Sequence, residues 1–353
     1  MKSEKDIADG HFAALLLDWF SVYGRQLPWR DTRDPYLIWL SEIILQQTRI
    51  EQGRDYWLRF TGRWPTVADL AAASEDEVLR EWQGLGYYAR ARNLLQAARE
   101  VVGMGGRFPD TVEGLRRLRG VGDYTAAAIA SFAFGRRAAV VDGNVYRVLS
   151  RHFNIDTPIN STEGKRLFAR LAEELLPAQH TDDYNQALMD FGALQCKPVA
   201  PGCDDCPLHD SCLGLAAGRV GVLPVKQKKL VVKTRRLAYV YIRCQGQTAI
   251  RQRTSGDIWQ GLWEPVNLTD SPDSDRWAAC LQGKVLLTTM RHVLTHRILL
   301  ADFYLLETDR RPPLPDEYIW IDESQLDDYA IPRLVERLVE LLRERESGLL
   351  AQK

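Results

Sequence analysis

The sequence predicts more than one domain, with an all-α region first and a smaller α+β region after it. The chain has 353 residues, a length at which two domains are commoner than one. Apolar residues recur at helical spacing through the N-terminal two thirds of the chain, whereas β-rich segments separated by turns begin at Leu237. We therefore predict a helical domain over 1–217, a basic linker over 218–232 and a second domain over 233–353.

Individual elements follow from the same periodicity and from the Gly, Pro, Asp and Thr residues that interrupt it. In the first domain, the predicted helices cover 11–24, 34–48, 74–83, 89–103, 125–135, 144–153 and 162–176. In the second, 235–253 and 296–308 are predicted to form strands and 332–347 a closing helix.

Charge and hydropathy exclude several classes of protein. The chain has 46 Lys and Arg against 47 Asp and Glu, a net charge of -1, so any binding of nucleic acid must be local. One local source is the segment 225–236, which holds six Lys and Arg and no acid. No apolar run is long enough to span a membrane, and the first residues resemble neither a secretory signal nor a transit peptide. We expect a soluble cytoplasmic protein with no membrane contact, associated with the nucleoid if the source is bacterial.

Four of the six cysteines are close together after the predicted helices. Their spacing is C-x6-C-x2-C-x5-C, and they are Cys196, Cys203, Cys206 and Cys212. Without a secretion signal, such a group indicates a metal site more than a disulfide framework. Four thiolates can hold either zinc or an iron-sulfur cluster. Zinc sites usually have two short C-x2-C pairs and this segment has one, so the spacing favours the cluster.

A glycine-containing turn joins two short helical stretches at Gly120, Val121 and Gly122. Glycine permits a tight turn, and the free amides at the start of the next helix can bind a phosphate oxygen. The segment therefore predicts anchoring of DNA without regard to base sequence. A purely structural αα-hairpin explains the same residues.

Two carboxylates are candidates for acid-base chemistry. Glu42 lies in the apolar helix 34–48, where desolvation raises the pKa of a carboxyl and suits it to be a general acid. The alternative is an ordinary surface glutamate. Asp142 follows an apolar pair and precedes a helix, so it can be an N-cap, and a capping carboxylate can also present its second oxygen to a cleft.

Aromatic and basic residues alternate in 25–36 and 84–95. Rings, guanidinium groups and apolar wedges are what a protein needs to hold an unstacked base and to fill the space that it leaves. Trp29 and Tyr88 are also explained as core residues, since aromatic side chains are often buried.

Together and in this order, the motifs resemble the helix-hairpin-helix DNA glycosylases that carry a 4Fe-4S cluster. The resemblance rests on SEIILQQT, the GVG turn, VDGNVYRVL and the cysteine loop. Within that superfamily the sequence is most similar to the adenine DNA glycosylases of MutY type, which remove adenine mispaired with 8-oxoguanine. The implied fold is an all-α helix-hairpin-helix glycosylase domain with an iron-sulfur loop, followed by a smaller α+β Nudix-like domain.

Two features narrow the resemblance within the superfamily and the activity that it implies. Tyr124 stands where relatives that also cut the backbone have a Schiff-base lysine, so no lyase step is expected. The segments IWQGLWEPV and RHVLTHRIL resemble the family's 8-oxoguanine-recognition domain, but the Nudix box is absent. Nucleotide pyrophosphatase activity is therefore not expected.

The resemblance also implies residue roles. Glu42 would protonate the adenine ring and Asp142 would stabilise the oxocarbenium sugar or bond to it, with Tyr124 and Asn144 orienting the pair. The residues expected to line the adenine pocket are Arg25, Leu27, Trp29, Arg30 and Gln186. Those expected to probe the lesion and fill the stack are Gln47, Thr48, Leu85 and Tyr87. The four cysteines would hold the cluster. The triplet Leu294, Thr295 and His296 stands where the family usually has Phe-Ser-His, and Arg119 stands where it usually has Pro.

The expected partner is double-stranded DNA with adenine opposite 8-oxoguanine or guanine, and the expected state is a monomer. Three other functions fit parts of the sequence: a bifunctional pyrimidine glycosylase and lyase, a non-catalytic DNA-binding or redox-sensing iron-sulfur module, and a Nudix hydrolase. Tyr124 argues against the first, the paired carboxylates argue against the second, and the absent Nudix box argues against the third.

Overall fold

The computed structural model describes residues 10–227, 232–254, 256–269, 281–294 and 297–347. The chain divides into two compact units. The first consists of Met1–Ala71 and Gln96–Lys228, and the second of Ala72–Leu95 and Lys229–Lys353. The sequence-based boundaries differ from this division in two respects, because they place Ala72–Leu95 in the helical domain and set 218–232 apart as a linker.

Helices make up most of the chain before residue 217. In chain order they are α1 (His11–Tyr23), α2 (Pro35–Ile44), α3 (Ile50–Arg63), α4 (Val67–Ala72), α5 (Glu75–Glu81), α6 (Ala89–Gly103), α7 (Val112–Leu115), α8 (Asp123–Phe134), α9 (Gly143–His152), α10 (Thr162–Glu174), α11 (Thr181–Leu194) and α12 (Leu213–Ala216). All the predicted helices are confirmed. Two further long helices, α3 and α11, were not predicted from the sequence. None of the helices in the described ranges has the length and apolarity needed to cross a membrane.

Local sequence explains where the helices of the first unit begin. Asp34 accepts a hydrogen bond from the amide of Tyr36 and is followed by Pro35 at the first position of α2, and both features favour a helix start. Eight of the ten residues of α2 are buried. This helix therefore runs through the interior of the unit, and it carries Glu42 with it.

The main core of the first unit lies where α1, α9, α10 and α11 meet. Phe12 and Leu16 of α1 belong to a buried cluster with Leu149 of α9, Phe168 of α10 and Phe191 of α11. Burial of such side chains stabilises the fold by about 1.5–3 kcal/mol each. The packing fixes α9 and α11 against each other, and both helices supply residues to the site described below.

The second unit contains one six-stranded mixed sheet in the order β4-β5-β1-β3-β2-β6. The strands are β1 (Lys233–Arg243), β2 (Gln247–Gln252), β3 (Trp263–Asn267), β4 (Val285–Val293), β5 (Arg297–Glu307) and β6 (Ile319–Asp322), and the closing helix is α13 (Arg333–Glu346). Strands β1 and β5 are parallel, with Tyr239 opposite Phe303. Leu334 and Leu338 of α13 belong to the same buried cluster as these two rings. The predicted strands and closing helix are confirmed.

Segment Ala72–Leu95 belongs to the second unit because it bonds to residues after 250. The Arg92 guanidinium donates to the Gln260 carbonyl at 2.5 Å. The side-chain amide of Gln252 donates to Asp76 at 2.8 Å. This segment carries Leu85 and Tyr87, two of the residues expected to contact the lesion.

Candidate active site

A cleft of about 1270 Å³ opens in the first unit, between α2, the start of α8, the start of α9 and α11. It collects residues that are far apart in the sequence. The predicted site residues that line it are Arg25, Leu27, Trp29, Arg30, Glu42, Gln47, Thr48, Gly120, Gly122, Tyr124, Asp142, Asn144 and Gln186. The carboxylates and the predicted adenine pocket thus share one cavity.

Glu42 lines this cleft, and only 8% of its surface is exposed to solvent. The pKa of its carboxyl is raised to about 7, mainly by burial and also by the charge of Asp142, whereas the neighbouring Tyr124 hydroxyl and the charge of Arg30 act to lower it. At neutral pH a large fraction of Glu42 is therefore protonated. A carboxyl in this state can donate a proton, which is what a general acid must do.

Asp142 both caps α9 and lines the cleft. Its Oδ1 accepts from the amides of Asn144 and Val145, each at 2.8 Å. Its Oδ2 accepts from the Asn144 side-chain amide at 2.7 Å. Burial raises the pKa of Asp142, while these hydrogen bonds lower it. The capping role and the cleft-facing role are therefore compatible in this carboxylate.

Tyr124 stands beside both carboxylates at the start of α8. Burial raises the pKa of its phenol well above the ordinary value, and the charges of Glu42 and Asp142 add to the effect. The phenol therefore remains a hydrogen-bond donor, and its hydroxyl donates to the Met189 sulfur at 3.7 Å. Tyr124 offers a hydroxyl at this position and no amine.

Asn144 is held by residues that sequence reasoning missed. Its Oδ1 accepts from the Arg147 guanidinium at 2.8 Å, and the same guanidinium donates to the carbonyl of Cys196 at 2.8 Å and to that of Gly192 at 2.5 Å. A Cβ at Gly192 would lie 2.6 Å from the Asn144 Cβ. The pair Asp142 and Asn144 is thereby linked to α11 and to the start of the cysteine loop.

A second missed residue is Asp190, whose side chain is fully buried on α11. It accepts from the amide and Nε of Arg25, each at 2.9 Å, and from two nitrogens of Arg30, each at 2.8 Å. The two arginines of the predicted adenine pocket therefore direct their charge toward one carboxylate. The available signal was an acidic residue in the segment 181–194. The sequence does not show, however, that this residue contacts arginines about 160 positions earlier in the chain.

The glycine turn connects α7 to α8 as predicted. Gly120 has φ +77°, in the left-handed region that glycine adopts without strain. The amide of Val121 donates to the Leu118 carbonyl at 3.1 Å. Gly122 is the N-cap of α8, and an added Cβ there would meet no atom within 4 Å. The amides at this helix start are therefore sterically open.

The residues expected to probe the lesion divide between the units. In the first unit, Gln47 is exposed and has φ +57°, a strained conformation for a non-glycine residue. In the second, Tyr87 is 50% exposed with φ +48°, whereas Leu85 is buried. Leu294 is partly buried against the core of the second unit. Thr295 and His296 lie outside the described residues.

The two aromatic residues with alternative explanations are both buried. Tyr88 is 7% exposed, so the core explanation applies to it. Trp29 is equally buried and packs edge-on against Trp57, with ring centroids 5.8 Å apart. Trp29 also lines the cleft, and for this residue the two explanations hold together.

The four clustered cysteines line one small pocket of the first unit. The pKa of the Cys206 thiol is raised to about 12, mainly by burial and also by the charges of the other three thiols, which reflects their proximity. The Arg151 guanidinium lies 3.4 Å from the Cys196 sulfur. Within the described residues, no three His, Cys, Asp or Glu side chains are placed closely enough to hold one metal ion. The four thiols nevertheless line the same pocket.

Comparison with known proteins agrees with this architecture. Residues 40–177 match the HhH-GPD superfamily of base excision DNA repair proteins, and residues 238–341 match the NUDIX domain. A solved structure of a thermostable thymine-DNA glycosylase is 32% identical, with a TM-score of 0.57, and the match covers 62% of this chain and all of that one. The predicted fold class, a helix-hairpin-helix domain followed by a Nudix-like domain, is confirmed.

Two curated relatives extend the comparison, and one of them spans nearly the whole chain. The adenine DNA glycosylase of Rattus norvegicus is 43% identical over 233 residues, which are 62% of this chain and 45% of the rat protein. The adenine DNA glycosylase of Homo sapiens is 31% identical, and the alignment covers 98% of this chain and 76% of the human protein. With both domains matched and a 31% identical relative covered over 76% of its length, the chain belongs to the adenine DNA glycosylase family of base excision DNA repair enzymes.

Proposed function

We propose that this protein is a monofunctional glycosylase that hydrolyses the N-glycosidic bond of adenine paired with 8-oxoguanine or guanine in duplex DNA. The observation that carries the proposal is the joint placement of Glu42, Tyr124 and Asp142 in one cleft. One carboxyl holds a proton near neutral pH and the other is fixed by three hydrogen bonds. Two carboxyl groups in such different environments suit an acid and a stabilising anion.

In the proposed first step, Glu42 protonates a ring nitrogen of adenine. Adenine is a poor leaving group until it gains this proton, and the electron pair of the broken C–N bond then goes to the base. The Tyr124 hydroxyl lines the same cleft as Glu42 and is proposed to orient the Glu42 carboxyl. The reaction slows as the pH rises through about 7, the pKa of Glu42, because the proton to be donated is lost.

In the proposed second step, Asp142 stabilises the positive charge that develops on the sugar. A fixed anion beside a developing cation lowers the barrier because it needs no reorganisation. If Asp142 bonds to the sugar carbon, water displaces it later, as in a retaining glycosidase. The Asn144 side chain holds one oxygen of Asp142 at 2.7 Å and so positions the anion for either route.

The remaining roles concern recognition. Arg25, Leu27, Trp29, Arg30 and Gln186 line the cleft and are proposed to enclose the flipped adenine. Gln47, Thr48, Leu85 and Tyr87 are proposed to contact the opposite base and fill the stack, and Leu294, Thr295 and His296 to read the lesion. The turn at Gly120, Val121 and Gly122 is proposed to bind a phosphate through the free amides at the start of α8. Binding through such local contacts is consistent with a net charge of -1.

A 4Fe-4S cluster is proposed at Cys196, Cys203, Cys206 and Cys212. The donor set fits the group, because four thiols and no competing carboxylate line one pocket. The cluster would cross-link the end of the first unit and would take no part in breaking the glycosidic bond. The protein is further proposed to act as a monomer in the cytoplasm.

The proposal is tested by single-turnover reactions on matched duplexes containing adenine opposite 8-oxoguanine, adenine opposite guanine, and thymine opposite guanine. Adenine release from the first two is expected, with strand breaks only after alkali. Borohydride is expected to trap no protein-DNA adduct because Tyr124 supplies no amine.

The opposite results identify the alternatives. Thymine release or a trapped adduct would favour a pyrimidine glycosylase with lyase activity, which the similarity to a thymine-DNA glycosylase makes the second candidate. Absence of alkali-sensitive product from every duplex would favour a binding module without catalysis.

A further inference from the structure

The carboxylate of Asp190 is a buried charge beside the cleft that the mechanism above does not use. Its side chain has no exposed surface. Every hydrogen bond described for it comes from one of two arginines, Arg25 and Arg30. Arg30 also donates to the backbone carbonyl of Arg25 at 2.9 Å. The three residues form one connected ion cluster.

This cluster has an excess of positive charge, and its two arginines line the same cleft as Glu42. Two guanidinium groups, 27% and 14% exposed, share a single carboxylate. Arg30 acts on Glu42 directly, since its charge favours the ionised form. A cation close to a carboxyl always has this effect, and screening by water is weak where both groups are buried.

Two other groups also affect the protonation of Glu42. Tyr124 at the start of α8 favours the ionised carboxyl, and the charge of Asp142, which caps α9, favours the protonated one. Arg30 is thus a cation that favours the ionised form of Glu42. Because Asp190 pairs with Arg30 and offsets part of its positive charge, Asp190 affects the protonation of Glu42.

We propose that Asp190 is a positioning residue that keeps Glu42 protonated, by holding Arg25 and Arg30 in place and neutralising part of their charge. The kinetic consequence rests on the proposed function, whereas the effect on Glu42 does not. Without Asp190, two uncompensated guanidinium groups would remain at the cleft and would favour the ionised form of Glu42. The general acid would then lose its proton at a lower pH.

The direct test is a carbon-13 NMR titration of the Glu42 carboxyl in the full chain, with the resonance assigned from Glu42→Gln. In Asp190→Asn, which keeps the side-chain shape, the midpoint is expected to fall by about half to one pH unit. In Arg25→Gln, which leaves Asp190 and Arg30 as a balanced pair, it is expected to rise. This opposite shift tests the proposal even if Asp190→Asn does not fold.

The matched control is Asp182→Asn. Asp182 also lies on α11 and pairs with an arginine, Arg33, whose side chain is 65% exposed. Because water screens this pair, the midpoint of Glu42 is expected to stay at the parent value. An unchanged midpoint in both Asp190→Asn and Arg25→Gln, or a shift in the control as large as theirs, would overturn the proposal.

A kinetic arm separates this proposal from the function on which it draws. The pH at which adenine release falls to half is expected to move with the NMR midpoint in each variant. A moving midpoint with no adenine release by the parent would uphold the role of Asp190 and contradict the proposed function. A fixed midpoint in an active enzyme would do the reverse.

Discussion

At the scale of single residues, the burial of Glu42 has a thermodynamic consequence that is separate from catalysis. Its pKa in the folded protein is about 7, against an ordinary value of 4.5. The folded state therefore keeps a proton that the unfolded chain has already lost. The stability that this proton provides is fully present below pH 4.5 and is lost as the pH rises through 7.

We expect Glu42→Gln to stabilise the protein at pH 8, because glutamine has no charge to bury. The gain in the free energy of unfolding should be about 1–3 kcal/mol at pH 8 and much smaller at pH 5. Urea denaturation of both proteins at the two pH values measures it. A difference that is the same at pH 5 and pH 8 would show that Glu42 is not protonated in the folded state.

At the scale of elements, the contact between α9 and α11 determines where Asp142 and Asn144 lie. Gly192 allows this contact, since an added Cβ would meet the Asn144 Cβ at 2.6 Å and its carbonyl oxygen at 3.0 Å. The backbone fixes the positions of this Cβ and this carbonyl oxygen, so a change of rotamer cannot relieve the two close contacts. Arg147 then bridges the two helices from Asn144 to the Gly192 carbonyl.

We expect Gly192→Ala to lower the free energy of unfolding by about 1–3 kcal/mol, as overpacking of a core does. It should also slow adenine release, because Asn144 no longer holds Asp142 in place. The matched control is Gly62→Ala on α3, where an added Cβ meets nothing within 4 Å. Chemical denaturation and single-turnover kinetics measure both effects. Equal behaviour of the two variants would contradict the close approach of α9 and α11.

The same scale shows what sequence periodicity can and cannot predict. Helix α2 was predicted because its apolar residues are nearly continuous, and Asp142 because it stands at a helix start. Helix α3 was missed because only Gly53, Trp57 and Phe60 of its residues are buried. The roles of Arg147 and Asp190 were missed because both depend on contacts between distant segments, which periodicity does not encode.

At the scale of the whole molecule, the order of the two domains along the chain was predictable. Which segments belong to each compact unit was not. The change from helical to alternating periodicity locates the second domain. The grouping of Ala72–Leu95 with that domain depends on bonds such as Arg92 to the Gln260 carbonyl. Such a bond joins a helix to a loop 168 residues later, and neither partner stands out in the sequence.

The cysteine loop gives a prediction at this scale, because a cluster would cross-link the end of the first unit. The purified protein should be brown and contain about four iron atoms per chain. Cys206→Ser should lose iron and unfold at a lower temperature. The control is Cys244→Ser, since Cys244 is buried near the end of β1 and is outside the predicted set. Iron analysis and thermal melts measure this, and zinc in place of iron would contradict the cluster.

The central claim is that Glu42 supplies the proton for adenine release, and single-turnover kinetics of Glu42→Gln test it most directly. Loss of a general acid typically costs about 10²–10⁴ in rate, so we expect a loss in that range on a duplex with adenine opposite 8-oxoguanine. Glu51→Gln, which removes an exposed glutamate from the same cleft, should react near the parent rate. Adenine release by Glu42→Gln at the parent rate would contradict the account.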